Sequence, residues 1–177
     1  MKTKNIILYG CDNSGKTTAA NDIVEILKED NLKCEMLHSL GPVSTREMLN
    51  FMLDHIKDDD SLDVRVFDRF PCIEEFVYGP IIRGNNGLEL YRDTCLYALS
   101  HIDLFIHCKP SLDVVENWGE REQMDGVKSN AEKIYAAYDH IPEMFNIQDR
   151  VITYDWTKRT EEGKSLKDIL KAGGVLK

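Results

Sequence analysis

"GCDNSGKTT" (residues 10–18) is the stretch on which the fold turns. Gly10 is followed by four residues and then by Gly15, Lys16 and Thr17, the spacing of a loop that wraps phosphate groups. Glycines let backbone N–H groups turn inward toward an anion. A helix that opens directly after them aims its positive end at the same place. The context fits. "NIILYG" (5–10) is a short, continuous apolar run, as expected of a strand buried on both faces. Past the loop, Ala20, Ile23, Val24 and Leu27 recur at helical spacing. One residue does not fit. Asp12 puts a carboxylate into a loop suited to polyanions, where it repels the ligand unless it faces a different partner.

The same alternation continues outward from the loop. "KCEMLHS" (33–39) reads as a second strand, broken by Gly41 and Pro42. Ser44 or Thr45 can cap a helix whose apolar face is Met48, Leu49, Met52, Leu53 and Ile56. "VRVFD" (64–68) is a third strand ending in an Asp-Arg pair. A short helix around Ile73, Phe76 and Val77 follows, expected to stop near Gly79 and Pro80. Leu88, Tyr91, Cys95 and Leu99 mark another helix, and "DLFIHC" (103–108) a fourth strand. Beyond Pro110 a short helix leads to "WGEREQMDG" (118–126), a polar stretch bounded by glycines. Ala131, Ile134, Tyr138 and Ile141 predict a helix to about Pro142, "VITYDW" (151–156) a fifth strand, and Leu166, Ile169 and Leu170 a last helix. Strands alternating with helices imply right-handed β-α-β units around a parallel sheet. With no linker, repeat or low-complexity block, residues 1–177 read as one α/β domain.

Composition narrows the class. The chain of 177 residues is 42% hydrophobic and 30% charged, the make-up of a globular domain. No apolar run approaches the roughly 20 residues that span a bilayer, and the opening "MKTKNIILYG" is read as a strand rather than a signal peptide. The cysteines, Cys11, Cys34, Cys72, Cys95 and Cys108, are scattered and odd in number and lack C-x-x-C spacing. They suggest neither a disulfide framework nor a zinc site, and point to a reducing cytoplasm. The net charge of -9, with acidic runs such as "KDDDSLD" (57–63), argues against a protein whose main task is gripping a nucleic-acid backbone. It does not exclude one.

The chemistry follows from the loop. Lys16 can reach the β and γ phosphates of a nucleoside triphosphate, and the Thr17 hydroxyl can ligate Mg²⁺. Gly10, Asn13, Ser14, Gly15, Lys16, Thr17 and Thr18 together make the candidate ATP-binding set. Asp68 and Arg69 stand at the carboxyl end of the third strand, where open parallel sheets gather ligands. There Asp68 can hold Mg²⁺ or position a hydroxyl, and Arg69 can clamp a phosphate. Arg121, on a flap of about 118–127, supplies a charge that can close over a transferring phosphoryl group.

Taken in order, "GCDNSGKTT", "DRF" after the third strand, and "DLFIHC" before an arginine-bearing lid resemble the thymidylate kinase and deoxynucleoside kinase group of P-loop kinases. The resemblance covers nearly the whole chain. It implies a sheet order of 2-3-1-4-5, ATP and Mg²⁺ as cofactors, and a small-molecule nucleotide as partner. Thymidylate kinases often carry Asp or Glu where Asp12 stands, so the resemblance implies that Asp12 accepts a hydrogen bond from the acceptor's 3′-hydroxyl. It likewise implies that Arg69 contacts the acceptor's phosphate. By region, Arg46 is a second phosphate contact, and Phe51 and Tyr78 are aromatics beside the base. Asn13 stands where some members have arginine, which leaves that charge to Arg121.

The chain also departs from the group. Thymidylate kinases tend to follow the Asp-Arg pair with a serine and then an aromatic-Gln pair. This chain reads "DRFPCIEEFVYGPIIRG" (68–84), with Tyr78 shifted in register. The expected activity is transfer of the γ-phosphoryl of ATP to a deoxynucleoside monophosphate, dTMP-like. The alternatives are a deoxynucleoside kinase acting on a 5′-hydroxyl, a kinase of polynucleotides or modified bases, and a non-catalytic nucleotide switch. The oligomeric state, with a homodimer as one option, is left open.

Overall fold

The computed structural model describes residues 2–39, 43–117, 119, 124–158 and 164–177. Five parallel strands form one sheet: β1 (Lys4–Tyr9), β2 (Cys34–His38), β3 (Val64–Asp68), β4 (Leu104–Cys108) and β5 (Val151–Tyr154). Their order is β2-β3-β1-β4-β5, as the resemblance implies. Helices α1 (Lys16–Glu29), α2 (Thr45–His55), α3 (Pro71–Tyr78), α4 (Arg92–Ser100), α5 (Leu112–Glu116), α6 (Ala131–Phe145) and α7 (Leu166–Ala172) connect and cover them.

The strands are apolar throughout because both faces are covered. Side chains alternate across a strand, so Ile6 and Leu8 of β1 join one core with Ala19, Ala20, Ile23 and Leu27 of α1 and Ile169 and Leu170 of α7. Ile7 and Tyr9 join the opposite core with Phe67, Phe105 and residues of α3 and α6. Each fully buried Ile or Leu contributes about 1.5–3 kcal/mol, so the two layers fix β1, and with it the loop at its carboxyl end.

Helix α3 ends at Tyr78 with Gly79 as its cap, as expected, but the chain then adds one π-helical turn, Gly79–Arg83, closed by Gly84 in the left-handed region. Pro80 is tolerated because it sits in the first turn, where its missing N–H costs no intrahelical bond. Helix α6 runs past Pro142 to Phe145 and ends at Asn146, with φ 54°. A proline this close to a helix end removes one hydrogen bond and leaves the last turn to close otherwise, here by the Ile147 N–H donating to the Pro142 carbonyl. All five cysteines are free thiols.

Sheet register brings the site residues to one level. Asp68 of β3 lies opposite Leu8 of β1 and His38 of β2. His107 of β4 lies opposite Tyr9 and stacks on its ring at 4.6 Å and 11°. Burial pushes the His107 imidazole down from 6.5 to about 4, so the fold holds it neutral. The unfolded chain takes up a proton below about pH 6.5 and the native state resists it to about 4. Stability therefore falls as pH drops through that window. His107→Phe, which keeps the stack, is expected to flatten the fall between pH 6.5 and 4 in urea titrations at stepped pH, and an unchanged slope refutes this account.

Candidate phosphate and acceptor site

The loop after β1 is shaped by left-handed and near-mirror backbone. Gly10 has φ 142°, Asn13 φ 65° and Gly15 φ 85°. A Cβ at Gly10 would lie 2.4 Å from the Cys108 carbonyl oxygen, so only glycine passes there. A Cβ at Gly15 would lie 2.7 Å from the Trp156 ring, which rests on the loop from the far side. Gly15 is the N-cap of α1, and no side chain caps that helix end. Its first N–H groups are thus those that a phosphate loop offers to an anion. Lys16 is buried under the loop, its ammonium donating to the carbonyls of Gly10 at 2.7 Å and Cys11 at 2.6 Å. Ser14 is buried, and its hydroxyl has no partner among the described residues. Thr17 and Thr18 are exposed.

Asp68 is fully buried at the end of β3. Its Oδ2 accepts from the Thr17 hydroxyl at 2.7 Å and contacts His38 Nδ1 at 2.8 Å. Its Oδ1 is buried with no partner among the described residues. A carboxylate oxygen left over beside a threonine hydroxyl is a donor set suited to a hard cation such as Mg²⁺. Among the described residues, no group of three His, Cys, Asp or Glu side chains forms a metal cage by itself. Mg²⁺ seldom needs one, since it keeps waters and takes phosphate oxygens.

Asp12 finds its partner away from the phosphate loop. Its Oδ1 pairs with the Arg69 guanidinium at 2.7 Å, and Glu74 of α3 stands 3.8 Å from the other side of that guanidinium. Arg69 itself has φ 74°, a left-handed conformation that costs a non-glycine residue about 1–2 kcal/mol. Burial pulls its basicity down, but Glu74 and Asp12 outweigh that and push it above the usual value. Burial raises Glu74, which Lys16 and Arg69 partly offset, and Tyr138 donates to it at 2.9 Å. The Tyr78 phenol is pushed up by burial and then by Glu74 and Asp12, so it stays protonated. Burial likewise lifts the Cys11 thiol to about 11, which leaves it inert.

This cluster forms one end of a cavity of about 540 Å³ between α2, α3 and the chain after the π turn. Asp12, Arg69 and Tyr78 line it, as do His38, Glu74, Glu75 and Arg83. The structure does not bring Arg46 or Phe51 to it. Arg46 is exposed on α2 and lies outside the lining, because its helix turns that face to solvent. Phe51 packs into the core, 6.3 Å from the Phe67 ring and 4.7 Å from His55. Asn13 keeps its backbone in the loop, but its amide donates to the carbonyls of Val114, Val115 and Asn117 at 3.1 Å each, closing the end of α5. Arg121 lies outside the described residues, as do the other flap residues 118, 120, 122 and 123.

Lining or loop-facing side chains that the sequence reading did not list as site residues include His38, Glu74, Glu75, Arg83, Asn85 and Trp156. A signal existed for two of them. Glu74 and Glu75 are an acidic pair inside an otherwise apolar helix, "PCIEEFVY". Buried carboxylates need partners.

No family model matches the chain, and no curated protein matches it. Among solved structures it superposes on the YorR protein of Bacillus subtilis, solved in complex with phosphorylated GDP. The TM-score is 0.65, over 96% of this chain and 92% of that one, at 17% sequence identity. The chain has an α/β P-loop kinase-like fold.

Gly10→Ala tests the loop. Its Cβ meets a backbone carbonyl that cannot step aside, at a φ that alanine avoids. The expected loss in urea unfolding is about 2–4 kcal/mol, and a loss below about 0.5 kcal/mol refutes the packing argument.

Proposed function

We propose that this protein transfers the γ-phosphoryl group of ATP, with Mg²⁺, to a deoxynucleoside monophosphate. One observation carries the reading. The carboxylate inside the phosphate loop is turned out of it, onto an arginine at the end of a cavity that adjoins the loop. A donor site and an acceptor site thus share one wall.

The roles follow from the geometry. The loop amides and Lys16 hold the donor's phosphates and meet the charge that develops on transfer. Thr17 and Asp68 would hold Mg²⁺, which supplies Lewis-acid neutralisation of the phosphate charge. Arg69 holds the acceptor's phosphate. One of that phosphate's oxygens attacks the γ-phosphorus as the bond to the bridging oxygen breaks and ADP departs. The attacking oxygen is already ionised, so no base is required. Asp12 accepts from the sugar 3′-hydroxyl, and Arg121 closes over the transferring group from the flap.

A 5′-hydroxyl acceptor would need a base, and full burial of Asp68 under Thr17 and His38 speaks against its filling that role. His38 lines the cavity, so nucleosides belong in the acceptor panel.

Lys16→Ala is expected to abolish ATP-dependent phosphorylation of added monophosphates in a coupled assay while circular dichroism stays native. Wild-type turnover by that folded variant overturns the kinase reading. A second measurement addresses Asp12. Asp12→Ala is expected to lower acceptor efficiency about ten- to a hundredfold and spare ATP, since a charge-assisted hydrogen bond is worth roughly 1.5–3 kcal/mol. A 3′-deoxy acceptor should be poor with wild type and lose little more in the variant. Simple addition of the two losses means that Asp12 does not touch the 3′-hydroxyl.

A further inference from the structure

Arg69 is engaged from two sides before any ligand arrives. Asp12 pairs with it at 2.7 Å, and Oε2 of Glu74 stands 3.8 Å from its other nitrogen. The cavity lining as a whole holds three carboxylates, Asp12, Glu74 and Glu75, against two guanidinium groups, Arg69 and Arg83. A charged His38 would only balance them. A phosphate dianion brought to Arg69 therefore meets a wall with no positive charge in surplus. Two of the carboxylates keep partners when it comes. Glu75 is held by Arg83 and by the Gly87 N–H at 2.7 Å, and Asp12 has the acceptor's 3′-hydroxyl in the proposed reading. Glu74 keeps only the Tyr138 hydroxyl, which donates to Oε1 at 2.9 Å. Its side chain is 16% exposed and lines the cavity, so a ligand there takes water away from it. The groups around it decide its charge. Burial pushes its carboxyl up, Lys16, Arg69 and the Tyr138 hydroxyl hold it down, and Asp12 pushes it up again. On its own helix it faces Tyr78. The two cations in this balance are the two that phosphates would engage, Arg69 by the acceptor and Lys16 by the donor.

We propose that Glu74 binds the acceptor's phosphate as a carboxylic acid, taking a proton from solvent as the phosphate displaces it from Arg69. The inference rests on the cavity being the acceptor site of the proposed kinase. The proton lands on Oε2, the oxygen that faced the guanidinium, while Oε1 keeps the bond from Tyr138. A protonated carboxyl carries one O–H donor, and a phosphate oxygen beside Arg69 can accept from it. A repulsive neighbour thereby becomes a binding group, and the site gains one positive charge relative to its empty state. The sign of the pH dependence follows. The complex holds one proton more than the free protein, so acceptor affinity rises as pH falls, by up to about tenfold per pH unit, wherever Glu74 is ionised when free and protonated when bound.

The test uses the full chain and whichever of dTMP, dCMP, dGMP and dAMP binds it tightest. Calorimetric titrations at pH 7.5 in HEPES and in Tris, whose ionisation enthalpies differ, count the protons taken up on binding. At that pH the ligand is almost wholly a dianion, its second ionisation lying near about 6. Wild type is expected to take up roughly half a proton or more, since carboxyls cut off from water and cations reach about 8–9. Glu74→Gln keeps the shape, an acceptor for Tyr138 and a donor for the phosphate. It is expected to take up none and to bind more tightly than wild type at pH 8.5. No uptake by wild type overturns the inference, and so does the wild-type count in Glu74→Gln, which would put the proton on another group. Weaker binding by the folded variant at pH 8.5 overturns it as well. Should the variant not fold, infrared difference spectra of wild type decide: a protonated-carboxyl band that shifts when glutamate is ¹³C-labelled is expected on binding, and its absence refutes the proposal. Turnover separates the underlying reading. Uptake on binding without ATP-dependent phosphorylation supports the role of Glu74 and overturns the kinase, whereas phosphorylation without uptake does the reverse. Binding of none of the four overturns both.

Discussion

Asp12 and Arg69 meet at 2.7 Å, and both halves of the site depend on that pair. A phosphate loop concentrates N–H groups and a lysine on a small volume, and a carboxylate among them would compete with the ligand for every one. Turning Asp12 outward removes the competition only if a cation waits outside. Arg69 can wait there because its backbone takes a left-handed turn directly after β3, which carries the guanidinium across to the loop. That conformation is unfavourable alone. It is held by the ion pairs to Asp12 and Glu74 and by the Arg69 N–H donating to the Leu8 carbonyl at 3.1 Å. The loop and the end of β3 are therefore one unit rather than two neighbours.

Charge is divided accordingly. On the loop side stand Lys16 and the open end of α1, with Asp68 and Thr17 beside them. On the cavity side stand Arg69 and Arg83, each fastened to buried or half-buried carboxylates. Pairs of this kind add little net stability, because desolvation offsets attraction. Their effect is to fix direction. A long arginine side chain left to itself samples many rotamers, and ordering it on ligand arrival would weaken binding.

The sheet and its helices were legible because burial on both faces writes itself as short apolar runs, and helix faces as spacings of three and four. Strand order came only from the resemblance. Helix ends were less legible. Pro80 and Pro142 look like stops, yet Pro80 opens the π turn, and Pro142 costs one hydrogen bond within the last turn of a helix that packing on the core otherwise holds. At the site, residues bound to the loop by position, Lys16, Thr17 and Asp68, could be read directly. Arg46 and Phe51 were placed by region, and a helix rotated by part of a turn sends such residues to solvent or core. Glu75 and Arg83 stood in plain view as letters. Their pairing depends on a π turn, which has no period that a sequence pattern can show.

Trp156 lies so close to Gly15 that no side chain could be inserted between them. An indole's emission depends on the polarity and charge around it, and this ring, 38% exposed, sits against the backbone that would receive a triphosphate. The molecule thus contains its own optical probe of loop occupancy. With Trp118, the chain's other tryptophan, replaced by phenylalanine, events at the loop can be followed by the colour and intensity of Trp156 emission with no label attached.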